Sequence, residues 1–347
     1  MYRGHTVGVI VPAYNEESHI GEVLATIPSF VDRIYAVDDQ STDDTWSVIQ
    51  EYTTASERVT NDEASNVEAG SPPEAPPSIA DGGQIGDTEI VPIRHEENQG
   101  AGGALRTGYV RGREDGMDIV VTIDADGQMD PEQLPSLLDP IVEDVADYTK
   151  GNRLADPKSR REMPPFRLFG NWLLTQLTKI ASGYWTLQDP QNGYTAISQE
   201  ALAAVDVESL PDDHEYPNDL LVRLNIAGMR IADVSMPAVY DDEESTIEYE
   251  RFVPITSVTL LQGFLRRMYS QLSNDYRDPV AIGYATGTAS FVGAVAVAID
   301  TGSTSLEGDG SSSGLLRATI AFVASGILFL SAMGIDAVKN AENGVYR

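Results

Sequence analysis

Two uncharged apolar stretches, Val280–Ile299 and Ala318–Ile335, close a chain whose preceding text reads as an α/β body of about 250 residues. At about 1.5 Å per helical residue, roughly twenty residues span the 30 Å hydrocarbon core of a bilayer. The pair therefore reads as a transmembrane hairpin, joined by the polar loop Asp300–Gly314. A hairpin returns the chain to the side it left. Arg266, Arg267 and Arg277 precede the first span, and Lys339 and Arg347 follow the second. Basic flanks favour the cytoplasmic side, which places the body there; Arg317, on the far side, can snorkel. The competing reading is a pair of core helices inside one globule. Met1–Gly4 leads straight into a strand-like run, so no signal peptide is expected.

The formal net charge is -31, from 54 acidic and 23 basic residues, and only four of the basic ones are lysines. The acid is spread along the whole chain, which argues against a nucleic-acid partner. So much like charge repels itself unless concentrated salt screens it, and a high-salt cytoplasm is the expected setting. With no cysteine, disulfides, thiolate zinc sites and cysteine nucleophiles are excluded.

Thr6–Pro12 is a short apolar, mostly β-branched run that ends in a loop with Asn15, Glu16 and Glu17. Arg33–Val37 reads as a second strand, stopping at Asp38-Asp39, and a helix over Asp43–Glu57 has Ser41 or Thr42 available as its cap. Between Arg58 and Thr88 the text turns acidic and rich in glycine and proline, as a surface insertion without a packed core would be. Further strands are expected at Glu89–Arg94, Asp118–Ile123, Ala146–Gly151 and from Ile231, with helices over Gly100–Arg113, Phe166–Ser182 and Pro217–Gly228. Strands alternating with helices predict a mostly parallel sheet covered on both faces. Thr256–Leu272 places Val258, Leu261, Leu265, Met268 and Leu272 at helical spacing, with Arg266 and Arg267 facing elsewhere. This helix either lies in the membrane interface or packs on the body. The expected domains are thus 1–250, an amphipathic region 251–278 and the hairpin 279–338.

In parallel sheets, ligands bind off the carboxyl ends of the strands, and the acids Asp38-Asp39 and Asp124-Ala125-Asp126 follow such ends. Carboxylates spaced i, i+2 after a buried strand suit Mg²⁺ or Mn²⁺, which borrow further oxygens from substrate phosphates. No G-x-G-x-x-G follows the first strand and no Walker lysine is present, so dinucleotide and P-loop chemistry lose ground. The glycines of Gly100–Gly103 either admit a close backbone approach or permit a tight turn. Arg153 fits an anion clamp, because a guanidinium presents several donors to phosphate. Arg160, Arg161 and Arg167 follow in the next loop and helix start. His5, His19, His95 and His214 show no ligand spacing and read as structural or surface residues.

Val11–Glu17, Val37–Asp43, Asn98–Ala104, Asp124–Gln128, Gly151–Arg153 and Asp189–Tyr194 together resemble the family 2 glycosyltransferases of the GT-A fold, and among them the polyprenyl (dolichyl) phosphate sugar transferases. The resemblance covers about residues 6–240. It implies a nucleotide pocket lined by Pro12, Tyr14 and Glu16, with Asp39 near the base or ribose. It places Asp124 at the ribose and donor diphosphate, Asp126 on the metal, and Gln128 near metal and sugar. By the same resemblance Arg153 and Arg167 grip the acceptor phosphate, and Asn171 stands where dolichyl phosphate mannose synthases carry a small polar residue. One departure is Asn218-Asp219, followed by Arg223, where hydroxyl-directed members have a glutamate-aspartate pair. Asp219 is the base candidate; a lipid phosphate, already ionised, needs none, and Asp219 then positions the sugar or Arg223.

The expected activity is inverting transfer of a hexose from a UDP- or GDP-linked donor to dolichyl or polyprenyl phosphate at the cytoplasmic membrane face, for protein N-glycosylation in a halophilic archaeon. Two alternatives stand beside it: addition of a later sugar to a hydroxyl of a lipid-linked oligosaccharide, and a non-catalytic membrane scaffold. A homo-oligomer is compatible with Gly283, Gly287 and Gly293, which permit close helix contact.

Overall fold

Runs of four to seven residues, mostly β-branched and apolar, form most of the strands. The computed structural model describes residues 1–64, 88–155, 165–237, 249–306 and 312–346. Strands β1 (Val7–Ala13), β2 (Arg33–Asp38), β3 (Glu89–Arg94), β4 (Ile119–Thr122), β5 (Tyr148–Asn152), β6 (Thr195–Ser198), β7 (Ile231–Ser235) and β8 (Gly344–Tyr346) make one sheet in the order β3-β2-β1-β4-β6-β5-β7-β8. Every pairing is parallel except those of β6, which runs antiparallel between β4 and β5. The carboxyl ends of β1, β2, β4, β5 and β7 consequently share one edge. Pro12 lies beyond the stretch of β1 paired with β4, which ends at Ile10 opposite Thr122, so its missing N–H costs no bond on that side.

Alternate strand residues enter opposite layers. Val7, Val9 and Val11 pack with α1 (Ile20–Thr26), α2 (Thr45–Ala64) and α4 (Leu134–Val142). Ile10, Tyr35, Val120 and Ile197 pack with α3 (Gly100–Glu114), α6 (Gln199–Ala204) and α7 (Tyr216–Ile226). Because both faces are covered, the strands carry continuous apolar runs instead of an alternation.

Some expected boundaries move. The helix after the second strand continues to Ala64, so the insertion starts later than Arg58, and its remainder falls outside the described residues. Its first turn is capped by neither Ser41 nor Thr42: the Asp43 carboxylate accepts from Thr45 N–H at 3.1 Å and from the Thr45 hydroxyl at 2.6 Å. An aspartate gives the helix dipole a negative charge as well as an acceptor.

Beyond the sheet, α5 (Pro165–Ser182) and α8 (Tyr249–Asn274) pack on α7, and α9 (Pro279–Leu306) and α10 (Ser312–Lys339) pair as the hairpin. Both hairpin helices are long and apolar enough to cross a membrane, and only 17% of each apolar window is buried. Core helices of a globule would be enclosed, and these two are largely exposed. Both helices outrun the expected spans, and the loop between them is shorter than Asp300–Gly314. Gly283 and Gly287 are spent within the hairpin, against Ala332 and Phe329, whereas Gly293 meets nothing within 4 Å. On α8, Val258, Leu261 and Leu265 are exposed and Met268 is buried. Arg267 is buried as well and does not face solvent.

The tail returns to the body. β8 pairs with β7 from Ile231 opposite Gly344, so the sheet expected to end by residue 250 takes its edge strand from beyond the hairpin. Three residues, Gly-Val-Tyr, carry too little periodicity to announce a strand.

Candidate active site

At the shared carboxyl edge, the chain leaves β1 and β2 through strained backbone. Asn15 has φ +59° and Gln40 φ +62°, a left-handed conformation uncommon for residues other than glycine. Side chains fix both. Asn15 Oδ1 accepts from Thr42 N–H at 2.8 Å, while Gln40 accepts from Asn98 N–H at 3.0 Å and donates to the Glu96 carbonyl at 2.5 Å. Asp39 is the centre of this loop cluster and only 2% exposed. Its carboxylate accepts from Gln99 N–H and Gly100 N–H, each at 2.8 Å, and lies 2.6 Å from His95 Nδ1. The other ring nitrogen of His95 meets the Thr107 hydroxyl at 2.9 Å. Both ring nitrogens of His95 thus meet partners within the protein.

The Gly100–Gly103 run does admit a close backbone approach, by the protein's own chain. A Cβ on Gly100, whose φ is +78°, would stand 2.5 Å from the Asp212 carbonyl oxygen, and one on Gly102 would strike that of Pro211. Gly103 N–H donates to the Asp212 carbonyl at 3.1 Å. Arg106 secures the same loop, donating to the Asp212 carboxylate at 2.5 Å and to the Leu210 carbonyl at 3.1 Å.

These elements bound a cleft of about 1100 Å³. Pro12, Tyr14, Glu16, Asp39 and Asn98 line it together with Asp124 and Asp126 and with Arg153, Asn171, Leu174 and Thr175. Asp124 and Asp126 are the hard oxygen donors. Enclosure by protein pushes the Asp124 carboxyl up to about 7, and the charge of Asp126 adds to this, with Arg153 and Lys150 opposing. Two carboxylates so placed fit a divalent cation that would relieve their repulsion. No group of three or more metal-ligating side chains occurs among the described residues, so further ligands would come from substrate and water. Gln128 sits beside this pair through its backbone, its N–H donating to Asp126 Oδ1 at 2.9 Å, and its side chain is not among those lining the cleft.

Arg153 stands just past β5, on the first residue of a short 3₁₀ turn. Asp189 holds it in a fork: Nε donates at 2.9 Å and Nη2 at 3.3 Å to the two carboxylate oxygens, and the backbone N–H donates at 3.2 Å. Asp189 is 4% exposed, whereas the Arg153 side chain remains 38% exposed in the cleft. Arg167 lies in the first turn of α5, with its side chain outside the described residues, as are Arg160 and Arg161.

Asp219 is not part of the lining. It is 3% exposed. One oxygen accepts from Arg223 Nε at 2.5 Å and the other from Arg266 Nη1 at 3.0 Å. Its neighbour Asn218 accepts from Gln191 and from the Thr178 hydroxyl. The structure also brings Asp212, Asp213 and His214 to the rim. Nothing in their spacing announced this; the glycines that admit their backbone were the available signal.

The family model described as "Glycosyl transferase family 2" matches residues 8–205, more than half of the chain. The chain belongs to this family. The UDP-N-acetylglucosamine–dolichyl-phosphate N-acetylglucosaminyltransferase of Methanococcus voltae is 30% identical over 235 residues, which cover 67% of this chain and 86% of that one. The dolichol-phosphate mannosyltransferase of Pyrococcus furiosus is 24% identical over 209 residues, covering 59% of this chain and 49% of its own length. Among solved structures, glucosyl-3-phosphoglycerate synthase of Mycobacterium tuberculosis with Mn²⁺ and UDP superposes with a TM-score of 0.51 at 21% identity, over 75% of this chain and 80% of that one. At that identity the likeness concerns the fold. This family 2 glycosyltransferase thus pairs a GT-A-type body with two apolar carboxy-terminal helices, and relatives of this sequence transfer sugars to lipid phosphates.

Proposed function

We propose that this family 2 enzyme transfers a hexose-type sugar from a nucleoside diphosphate sugar to dolichyl or polyprenyl phosphate, with inversion, at the cytoplasmic face of the membrane. Pro12, Tyr14, Glu16 and Asp39 bound the donor's nucleotide, and Gln128 acts through its backbone N–H, which holds Asp126. Asp124 and Asp126 would hold Mg²⁺ or Mn²⁺, which when bound stabilises the departing diphosphate. Arg153, with Arg167, receives the acceptor phosphate. A phosphate oxygen forms the new bond to the anomeric carbon as the bond to the nucleoside diphosphate breaks, and no proton has to be removed.

The observation that carries this reading is the state of Asp219. A general base must reach the proton it takes, and Asp219 is buried, outside the cleft lining, with an arginine on each oxygen. That disfavours hydroxyl acceptors and suits an acceptor already ionised. The apolar surface supports the same reading. α5 lines the cleft with Asn171, Leu174 and Thr175 and exposes Phe169, Trp172 and Leu173, while α8 exposes Val258, Leu261 and Leu265 beside the hairpin. A headgroup bound among these residues keeps its tail in lipid. The acidity of the chain fits work in concentrated salt, and the product fits a role as sugar donor in protein N-glycosylation.

The test is incubation of detergent-solubilised protein in multimolar salt and Mn²⁺ with a panel of nucleotide sugars and dolichyl phosphate, read by mass spectrometry. A glycosylated lipid phosphate that survives Asp219→Asn and disappears with Arg153→Ala is expected. Extension of a lipid-linked saccharide in place of dolichyl phosphate, lost in Asp219→Asn, would overturn the reading.

A further inference from the structure

The segment Asp189–Tyr194 meets both Arg153 and Asp124 in the cleft. At one end Asp189 clasps Arg153. At the other, Gly193 lies so close to Asp124 that a Cβ there would stand 2.9 Å from Asp124 Oδ2, and its carbonyl accepts from Thr122 at 2.5 Å. From beneath, Lys150 holds the middle. This lysine is 1% exposed on β5, and its ammonium donates to the Asn192 carbonyl. Its strand partners are Thr195 on β6 and the fully buried Asp233 on β7. Asn192, 2% exposed, is itself tied down, its side-chain oxygen accepting from Tyr194 N–H at 3.1 Å.

A buried lysine is costly unless its charge is met. Burial lowers the Lys150 ammonium to about 8, with Asp189 the largest favourable neighbour, Arg153 opposing, and Asp233 and Asp124 adding favour. Packing alone would be served by an apolar side chain. The ammonium instead stands among the carboxylate that aims the arginine, a carboxylate that would hold the metal, and the chain linking them.

We propose that Lys150 is a positioning residue that sets the acceptor-binding Arg153 and the donor-side Asp124 relative to each other through the Asp189–Tyr194 segment. This rests on the reading of the cleft given above. One buried charge thereby fixes the distance between attacking phosphate and sugar, where a displacement of an ångström costs much of the rate.

Lys150→Met keeps length and removes charge. In full-length protein in detergent, it should raise both the KM for dolichyl phosphate and the Kd for the Mn²⁺–nucleotide by about 10- to 100-fold, as loss of a partner supporting a metal site does. Asp189→Asn, which loosens Arg153 while leaving the Lys150 contact to the Asn192 carbonyl in place, should raise the acceptor KM and leave nucleotide affinity within about twofold. A merely structural lysine predicts a lower unfolding temperature with both constants unmoved in the folded fraction, and that outcome would overturn the proposal, as would a shift in only one constant. Should Lys150→Met not fold, Lys150→Arg takes its place, since a planar guanidinium cannot reproduce a single ammonium contact; unmoved constants there overturn it equally. Wild-type protein that glycosylates no lipid phosphate would remove the functional reading instead, while nucleotide affinity by calorimetry still tests the donor half.

Discussion

Arg267 of α8 and Asp336 of α10 form a two-pronged ion pair, Nη1 to Oδ1 and Nη2 to Oδ2 at 2.8 Å each, with side chains 1% and 0% exposed. Arg267 also donates to the carbonyls of Ala181 and Ile180 at the end of α5. A single side chain therefore ties the helix that lines the cleft to the base of the hairpin. Nearby, Lys339 of α10 pairs with Asp278, just ahead of α9, and Asn225 of α7 donates to Asn340 at 2.9 Å.

Breaking this pair from one side leaves a buried charge without its partner, which costs about 3–5 kcal/mol. Arg267→Met or Asp336→Leu alone should lower the unfolding midpoint in detergent accordingly. The double variant should recover most of the loss. Equal destabilisation by the single and double variants would show that the carbonyl contacts of Arg267, and not the ion pair, matter.

Gly102→Val places a branched side chain where the Pro211 carbonyl lies. The loop bearing Asp212 to His214 must shift, at a cost of about 1–3 kcal/mol. Nucleotide affinity should fall, because the loop and the Asp39 cluster share the start of α3. Unchanged affinity by calorimetry would separate the loop from the donor pocket.

Asp126→Ala should abolish turnover, and chelation of divalent cations should do the same to the wild type. Restoration by added Mn²⁺ or Mg²⁺ in the wild type, and none in Asp126→Ala, is the expected pattern. Turnover persisting in chelator would remove the metal from the scheme.

The pH dependence of stability follows from Asp233. Burial and the charge of Asp189 push its carboxyl up to about 7, against about 3.9 in an unfolded chain. The folded state binds this proton more tightly, so its contribution is whole below about pH 4 and is lost as pH rises to 7. Asp233→Asn lacks that loss. Between pH 5 and 8 the variant should gain about 2 kcal/mol on the wild type, read from unfolding midpoints. A constant offset would refute the assignment.

Strands β1 to β5, β7 and the carboxyl-edge acids were legible because apolar runs bounded by Asp, Asn and Gly carry their own signal. The resemblance then grouped Pro12, Tyr14, Glu16, Asp124 and Arg153, which do line one cleft. What stayed hidden depends on long-range partners. Asp219 stands in the sequence as base or positioning residue, and nothing there shows that Arg266, 47 residues later in the chain, meets its second oxygen. The sequence gives no sign that the Asp39 carboxylate, besides lining the cleft, also holds the backbone of Gln99 and Gly100. Lys150 drew no notice, since a lone lysine in a strand gives no clue that its ammonium is enclosed. Ser41 and Thr42 lost the cap to Asp43 because cap choice turns on local backbone that composition does not reveal.

The pairing of β8 with β7 carries a consequence for biogenesis. Translation delivers residues 344–346 only after the hairpin has been made, and domains tend to form as they emerge. The sheet must therefore wait with one edge open while α9 and α10 form and pair. Its final strand can close only once the hairpin has brought the tail back to the body, so a hairpin that fails to assemble would leave an exposed strand edge, which quality control or aggregation can read.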